Sequence, residues 1–188
     1  ILLIFDEIPS ALGRTGKMFV CEHFDVVPDM LVIGKGLGGG IFPMAALLVH
    51  EDLDIAGDRA LGHYTHEKSS VGCAAALATL ECLLEDKLID NSVELGEKGL
   101  TRLKEMKSKY PIISDVRGLG LFFGIALTKN GKPAQKEAEE VLYHSLSNGL
   151  SYKIGGGCIL TLCPPMTITE QELNEAFEVI EAGIKEVS

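Results

Sequence analysis

Two charged residues close two apolar runs near the start of the chain. Met30-Leu-Val-Ile33 stops on Gly34-Lys35-Gly36, and Ile1-Leu-Leu-Ile-Phe5 stops on Asp6-Glu7. Short continuous runs of this kind read as buried strands of a parallel sheet, and open α/β sheets bind their ligands at the carboxyl ends of such strands. Lys35 therefore stands where a ligand is expected. Glycines on both sides leave it uncrowded, and a partly desolvated lysine is a Schiff-base nucleophile toward a carbonyl carbon. Asp6 places a carboxylate at a second strand end.

The elements that position these groups follow in order. Ser10–Lys17, with Gly13 and Gly16 among polar residues, predicts a loop, Met18–Phe24 a short helical turn before Pro28, and Pro43–Val49 a further buried strand. Glu51–Ala60 reads as a short helix and loop leading into Gly62-His-Tyr-Thr-His-Glu67. Gly72–Leu84 lacks proline and is dense in strong helix formers, which predicts a long buried helix capped by Ser69 or Ser70. A second helix is expected from about Ser92 to Tyr110, with Val93, Leu100, Leu103 and Met106 on one face and Pro111 at its end.

Beyond Pro111 the character changes. Val116–Leu127 is strand-like, with Gly118, Gly120 and Gly124 spaced for close approach of a backbone or helix. Ala134–Ser147 shows helical spacing, Cys158–Cys163 is a short strand ended by Pro164-Pro165, and a capping box of Thr169 and Glu172 opens a last helix with Leu173, Ala176, Phe177, Ile180 and Ile184 on one stripe. The expectation is an α/β chain of two parts. The boundary is placed near Leu80, with residues 1–80 as the first part and residues 81–188 as linking helices and a small C-terminal α/β domain.

Composition narrows the function. The chain has 188 residues, 46% of them hydrophobic, enough to build a core. With 27 acidic against 17 basic residues and a net charge of −10, a nucleic-acid partner is not expected. Cys21, Cys73, Cys82, Cys158 and Cys163 form no CxxC pair and lie mostly in apolar runs, so they read as reduced core residues of a cytoplasmic protein rather than metal ligands. No run approaches the about 18 apolar residues of a membrane-spanning helix, and no membrane partner is expected. The chain opens on Ile1 inside a strand-like run and is read as a fragment.

Three readings of the glycine stretch compete. One is a flexible turn with a solvated lysine. Another is a dinucleotide fingerprint, since Gly34, Gly36 and Gly39 match G-x-G-x-x-G after a strand, but Gly40 and Pro43 follow where a helix should open. A phosphate loop at Ala11–Met18 fails at both ends, because Ala11 stands for the first glycine and Met18 for the hydroxyl residue. The third reading is pyridoxal phosphate chemistry, which needs a lysine for the Schiff base and an acid for the pyridine nitrogen. Asp6 is that acid. A carboxylate about 4 Å from a pyridinium is worth about 4 kcal/mol at an effective dielectric near 20.

Ile4-Phe-Asp-Glu-Ile-Pro-Ser-Ala-Leu-Gly-Arg-Thr-Gly16 and Pro28-Asp-Met-Leu-Val-Ile-Gly-Lys-Gly-Leu-Gly-Gly-Gly40 resemble the class III, fold type I, pyridoxal-phosphate aminotransferases, which include the 4-aminobutyrate and ornithine enzymes. The spacing of 29 residues from Asp6 to Lys35 fits, and the likeness runs through Thr65, the Ala-rich helix and Pro164-Pro-Met-Thr, so the chain resembles the C-terminal half of such an enzyme. The resemblance implies that residues 1–80 are the C-terminal part of a large, mainly parallel cofactor-binding domain, and that the enzyme is an aminotransferase acting on an amino acid or amine with a 2-oxo acid as acceptor. Lys35 would form the Schiff base with pyridoxal 5′-phosphate and shuttle the proton, and Asp6 would face the ring nitrogen. Thr65 would reach the cofactor phosphate of the neighbouring subunit, which implies a homodimer with shared sites. His23, His63 and His66 have no matched role, and Arg14 and Arg117 are given turn and packing roles.

The chain departs from the family pattern twice. Pro9 stands where the family has a glutamine that hydrogen-bonds the cofactor's phenolic oxygen, and Thr161 stands where members that bind an α-carboxylate have an arginine. Threonine cannot supply a bidentate carboxylate clamp. The alternatives are an amino-acid racemase or epimerase of the same family and, from another class, a non-catalytic fragment. The 188 residues alone are expected to bind cofactor weakly and to be inactive.

Overall fold

The computed structural model describes residues 1–59, 62 and 69–188. It divides into two compact units, one of residues 1–13 and 17–89, the other of residues 14–16 and 90–188. The division expected near Leu80 falls inside a continuous helix; the change of unit comes at Ile89–Asp90. That helix stays with the first unit because its N-terminal turn packs on Phe42.

In the first unit, β1 (Ile4–Asp6) lies parallel to β2 (Met30–Ile33), in a register that pairs Ile4 with Met30 and Asp6 with Val32. Parallel neighbours need a long crossover, here residues 7–29, which contain a 3-10 turn at Val20–His23. β3 (Ala46–Val49) pairs antiparallel with β2, Met30 opposite Val49 and Ile33 opposite Ala46. Leu31 and Ile33 are buried on one face of β2. The expectation of strands covered on both faces is corrected for β1 and β3: Ile4, Leu47 and Leu48 are exposed, because no described layer of the unit covers them.

α1 (Ser70–Glu85) carries the Ala-rich run and is capped by the Ser69 hydroxyl, which accepts from the Gly72 N–H at 3.3 Å. It is apolar all round, yet only Gly72, Ala76 and Leu83 are buried; Val71, Leu77 and Leu84 face outward. The expected burial of this helix is therefore partial. A Cβ on Gly72 would lie 2.8 Å from the Phe42 ring, so the missing side chain lets the helix meet the loop that follows the glycine turn.

The second unit is an antiparallel sheet with three helices on one face. The strand-like run Val116–Leu127 is not one strand. It is a hairpin of β4 (Ile113–Leu119) and β5 (Phe122–Lys129), folded at Gly120, and β5 also pairs with β6 (Lys132–Pro133). β7 (Lys153–Gly155) and β8 (Ile159–Leu162) complete the order β4-β5-β8-β7. Along β5 the residues alternate, Phe123, Ile125 and Leu127 buried and their neighbours half-buried. They form one core with Leu103 and Met106 of α2 (Leu88–Lys109), Ala138 and Val141 of α3 (Gln135–Ser147), and Leu173, Phe177, Ile180 and Ile184 of α4 (Glu170–Val187). The capping box of α4 is formed: the Thr169 hydroxyl accepts from the Glu172 N–H at 3.2 Å, and the Glu172 carboxylate from the Thr169 N–H at 2.8 Å.

Close approach of backbones ties this unit together, as the glycine spacing suggested. A Cβ on Gly96 of α2 would lie 2.6 Å from the Gly120 backbone, and one on Gly120 would lie 2.5 Å from the Thr15 backbone. Arg14, Thr15 and Gly16 are part of this unit for that reason. The Arg14 guanidinium donates to the carbonyls of Leu121 at 3.4 Å and Pro164 at 2.5 Å.

Cys21 is buried, but Cys73, Cys82 and Cys163 are exposed and Cys158 is half-buried. The expectation of core cysteines is corrected for these four, because the runs that hold them turn partly outward. Among the described residues, no helix is long and apolar enough to cross a membrane.

Candidate active site

Lys35 begins a 3-10 turn, Lys35–Gly38, directly after β2. Gly34 before it is extended, and Lys35 itself has φ 46°. A side chain in this left-handed region costs about 1–2 kcal/mol, strain of the sort that gathers at functional positions. The strand before the turn and α1 beyond it hold this backbone in place: Gly39, which ends the turn, faces the Thr79 hydroxyl of α1 so closely that a Cβ there would lie 3.1 Å from it. The glycines open no α-helix, so the dinucleotide reading has no support in the fold.

The Lys35 side chain is exposed, which differs from the expected partial desolvation: among the described residues of this unit none covers it. With Pro43, Met44 and Ala45 it lines an open recess of about 500 Å³. Among the described residues no carboxylate pairs with it.

Asp6 is the last residue of β1, and its register with Val32 places it on the adjacent parallel strand at the same sheet edge as Lys35. Neighbouring strands lie about 4.8 Å apart, so the carboxylate and the amine rise from neighbouring strand ends. Asp6 is exposed, and one carboxylate oxygen accepts from the Ile8 N–H at 3.2 Å.

Glu7 has a role the sequence reading missed. By strand alternation it points to the opposite face from Asp6, where it is 2% exposed. Its carboxylate accepts from the N–H groups of Val20 at 2.6 Å and Cys21 at 2.9 Å, the first free donors of the 3-10 turn Val20–His23. Its own N–H donates to Val32 at 2.9 Å, and its carbonyl accepts from Ser10 and Ala11. Glu7 thus clamps the crossover onto the strand end that carries Asp6. The signal for it was an acid placed next to Asp6 and out of phase with it. Burial, then the carboxylates of Glu7 and Glu22, push the Cys21 thiol pKa up.

The other sequence candidates lie elsewhere. Thr65, His63 and His66 are outside the described residues. Pro9 is exposed in the turn after Glu7. His23 meets the Phe24 ring edge-on at 6.5 Å between centroids. Thr161 sits in β8 of the second unit, half-buried, with its hydroxyl 3.4 Å from the Ile159 carbonyl. Arg14 holds carbonyls, in keeping with a packing role, and Arg117 is 3.7 Å from Asp115. Asp6 and Lys35 come together within the first unit, and Thr161 belongs to the second.

Known proteins match along the whole chain. The family model for class III aminotransferases covers residues 1–184. The chain belongs to the class III aminotransferase family. Among relatives, it is 43% identical to the (R)-1-hydroxy-2-aminoethylphosphonate ammonia-lyase of Vibrio splendidus, over 100% of this chain and 40% of that protein. It is 38% identical to the alanine/serine racemase of Pyrococcus horikoshii, over 99% of this chain and 40% of the other. Identity to the ornithine aminotransferase of Halalkalibacterium halodurans is 42%, over 96% of this chain and 43% of the other. A solved ornithine aminotransferase from Toxoplasma gondii, described with partial occupancy of pyridoxal phosphate at its active site, superposes with a TM-score of 0.88 at 29% identity, over 100% of this chain and 43% of that one. The α/β architecture is that of the fold type I aminotransferases. The chain spans about two fifths of the length of the curated relatives it matches.

Proposed function

We propose that the chain carries the lysine-bearing part of a pyridoxal-phosphate enzyme that moves an amino group from an amino acid or amine, of the ornithine or 4-aminobutyrate class, to a 2-oxo acid. The observation that carries this reading is the pair Asp6 and Lys35 at the carboxyl ends of adjacent parallel strands. The residues fit the cofactor: a primary amine without a carboxylate partner among the described residues, and a carboxylate one strand away. When bound, pyridoxal phosphate supplies an electron sink for the bonds at the amino-bearing carbon. Lys35 would hold its aldehyde carbon and, once released, carry a proton at the substrate carbon. Asp6 would be the counter-charge of the ring nitrogen, and Glu7 keeps the Asp6 strand end in place.

Thr65 would reach the phosphate in a second copy of the chain, so the reading includes a homodimer with shared sites. The outward apolar side chains of α1, Val71, Leu77 and Leu84, suit a covered surface. The test is borohydride reduction of the cofactor-loaded full-length enzyme followed by peptide mapping. The pyridoxyl label is expected on Lys35; a label on Lys17 or Lys68, or none, overturns the assignment.

A second reading is favoured by Thr161 together with the 43% identity to the Vibrio enzyme. Without a guanidinium at that position, a substrate with no α-carboxylate fits as well, and the reaction would then be loss of ammonia without an acceptor. One assay separates the readings. Keto-acid formation that requires a 2-oxo acid marks the aminotransferase, ammonia release without acceptor marks the lyase, and inversion of a single amino-acid enantiomer without acceptor marks the racemase.

A further inference from the structure

The glycines around Lys35 each face a different neighbour within the first unit. A Cβ on Gly34 would lie 3.4 Å from the Ala45 methyl, one on Gly36 3.7 Å from Leu12, one on Gly38 3.4 Å from the Phe42 Cβ, and one on Gly39 3.1 Å from the Thr79 hydroxyl. The turn is therefore seated by its backbone, while the Lys35 side chain stays exposed.

Among these neighbours Phe42 grips at both ends. Its N–H donates to the Gly38 carbonyl at 3.0 Å, closing the backbone that follows the lysine turn. Its ring lies on the first turn of α1, where a Cβ on Gly72 would meet two ring carbons at 2.8 and 3.1 Å. Gly72 stands inside a helix, a place where alanine is preferred to glycine. What its missing side chain provides is room for the ring. Phe42 also stands immediately before Pro43, Met44 and Ala45, which with Lys35 line the open recess.

This packing bears on the lysine through the backbone between them. Lys35 has φ 46°, a conformation that persists only where its surroundings over-determine it. Glycines restrict the chain very little, so the run Gly36-Leu-Gly-Gly-Gly40 cannot hold that conformation by itself. β2 fixes the chain before Lys35. After it, Leu37 is 4% exposed but Ile41 is 94% exposed, so Phe42 is the first side chain beyond the glycines that anchors the returning backbone.

We propose that Phe42 is a positioning residue for Lys35: wedged between Gly38 and Gly72, it locks the glycine turn to α1 and so holds the lysine amine where it meets the cofactor aldehyde. The proposal rests on the reading of Lys35 as the cofactor lysine and adds what keeps that lysine in place.

Full-length apoenzyme is mixed with pyridoxal phosphate over a range of concentrations, and the Schiff base at Lys35 is trapped with borohydride at successive times and mapped. The cost of the left-handed backbone corresponds to about a 5- to 30-fold preference for the relaxed one. Phe42→Ala is therefore expected to lower the limiting capture rate at saturating cofactor about 5- to 30-fold, with the concentration that gives half this rate changed less than about twofold. Phe42→Tyr, which keeps the ring, should retain most of the rate. Gly72→Ala, whose methyl displaces the ring in a helix that alanine favours, should lower it as well, and should cost nothing more when added to Phe42→Ala. In apoenzyme without cofactor, exchange of the Gly39 N–H, which donates to the Gly36 carbonyl at 2.9 Å, should quicken at least fivefold in Phe42→Ala. A wild-type limiting rate in Phe42→Ala, a change confined to the half-rate concentration, a loss that Phe42→Tyr shares, or losses that multiply in the double variant would each overturn the positioning role. A wild-type enzyme without label on Lys35 overturns the cofactor reading instead, and Gly39 exchange, which needs no cofactor, then still decides whether Phe42 pins the turn.

Discussion

Replacing Glu7 by glutamine probes how the Asp6 strand end is built. The carboxylate accepts two backbone hydrogen bonds, 2.6 Å from Val20 and 2.9 Å from Cys21, at a residue 2% exposed. Glutamine keeps one acceptor oxygen and turns an NH₂ group toward the other donor. One charge-assisted bond is lost, the second weakens, and a backbone N–H with little access to water is left without a partner. Charge-assisted bonds are worth about 1.5–3 kcal/mol each and an unsatisfied buried donor costs about 1–3 kcal/mol, so a local cost of about 2–3 kcal/mol is expected. At about 1.4 kcal/mol per factor of ten, hydrogen exchange at the Val20 and Cys21 amides should quicken about 30- to 140-fold. Exchange on the β5 amides should stay unchanged. The same substitution removes the Glu7 charge that helps to raise the Cys21 thiol pKa, so alkylation of Cys21 at pH 8, expected to be slow beside that of exposed Cys73 and Cys82, should speed up. Equal protection of both amides in Glu7→Gln and wild type would refute the clamp.

Further outcomes follow from the second unit. Gly96→Ala puts a methyl 2.6 Å from the Gly120 backbone, which cannot step aside as a side chain would; a loss of about 3 kcal/mol is expected by urea unfolding, at the upper end of overpacking costs. Thr169→Ala removes the hydroxyl cap of α4 and should cost about 1 kcal/mol in the same measurement. Lys109 first, with Tyr110 and Arg102, holds the Glu181 carboxyl below the usual carboxylate range, against the opposing effect of burial. Its folded pKa is therefore depressed, and its contribution is present above the unfolded value of about 4.3 and lost as pH falls through the folded one. Wild type should exceed Glu181→Gln in stability at pH 7 and converge on it in acid; an advantage that persists below the folded pKa would overturn this account.

Much of the local structure was legible because its causes are local. The apolar run Met30–Ile33 is β2, Ser69 caps α1, and Thr169 with Glu172 opens α4. Errors arose where distant residues decide. Val116–Leu127 read as one strand because its apolar residues continue through the turn, whereas the chain folds back at Gly120, where Thr15 and Gly96 press on the backbone. Val93 was placed on the buried stripe of α2, but Leu95, Gly96 and Gly99 line that side and Val93 is 41% exposed. Replacing apolar residues by glycines on the packed face hides the stripe from any reading of hydrophobic spacing. Of the site, Lys35 and Asp6 were visible as charges closing apolar runs; Glu7 was not, since its value lies in two N–H groups more than a dozen residues away.

Residue order alone determined which groups end the strands, where helices can begin, and that the chain carries an amine and a carboxylate spaced as in the class III aminotransferases. These depend on side-chain type, φ preference and near neighbours, all written in consecutive residues. Tertiary structure decided the rest. Parallel pairing put Asp6 and Lys35 at one edge, and close backbone contact drew Arg14–Gly16 into the C-terminal unit. The four-strand register aligned Arg117, Gly124, Thr161 and Lys153, residues up to 44 positions apart in the chain that no sequence spacing relates. Register is set by the burial of one whole face of a sheet, since a slip of one residue would turn every core side chain to water, and that constraint exists only once the strands have met.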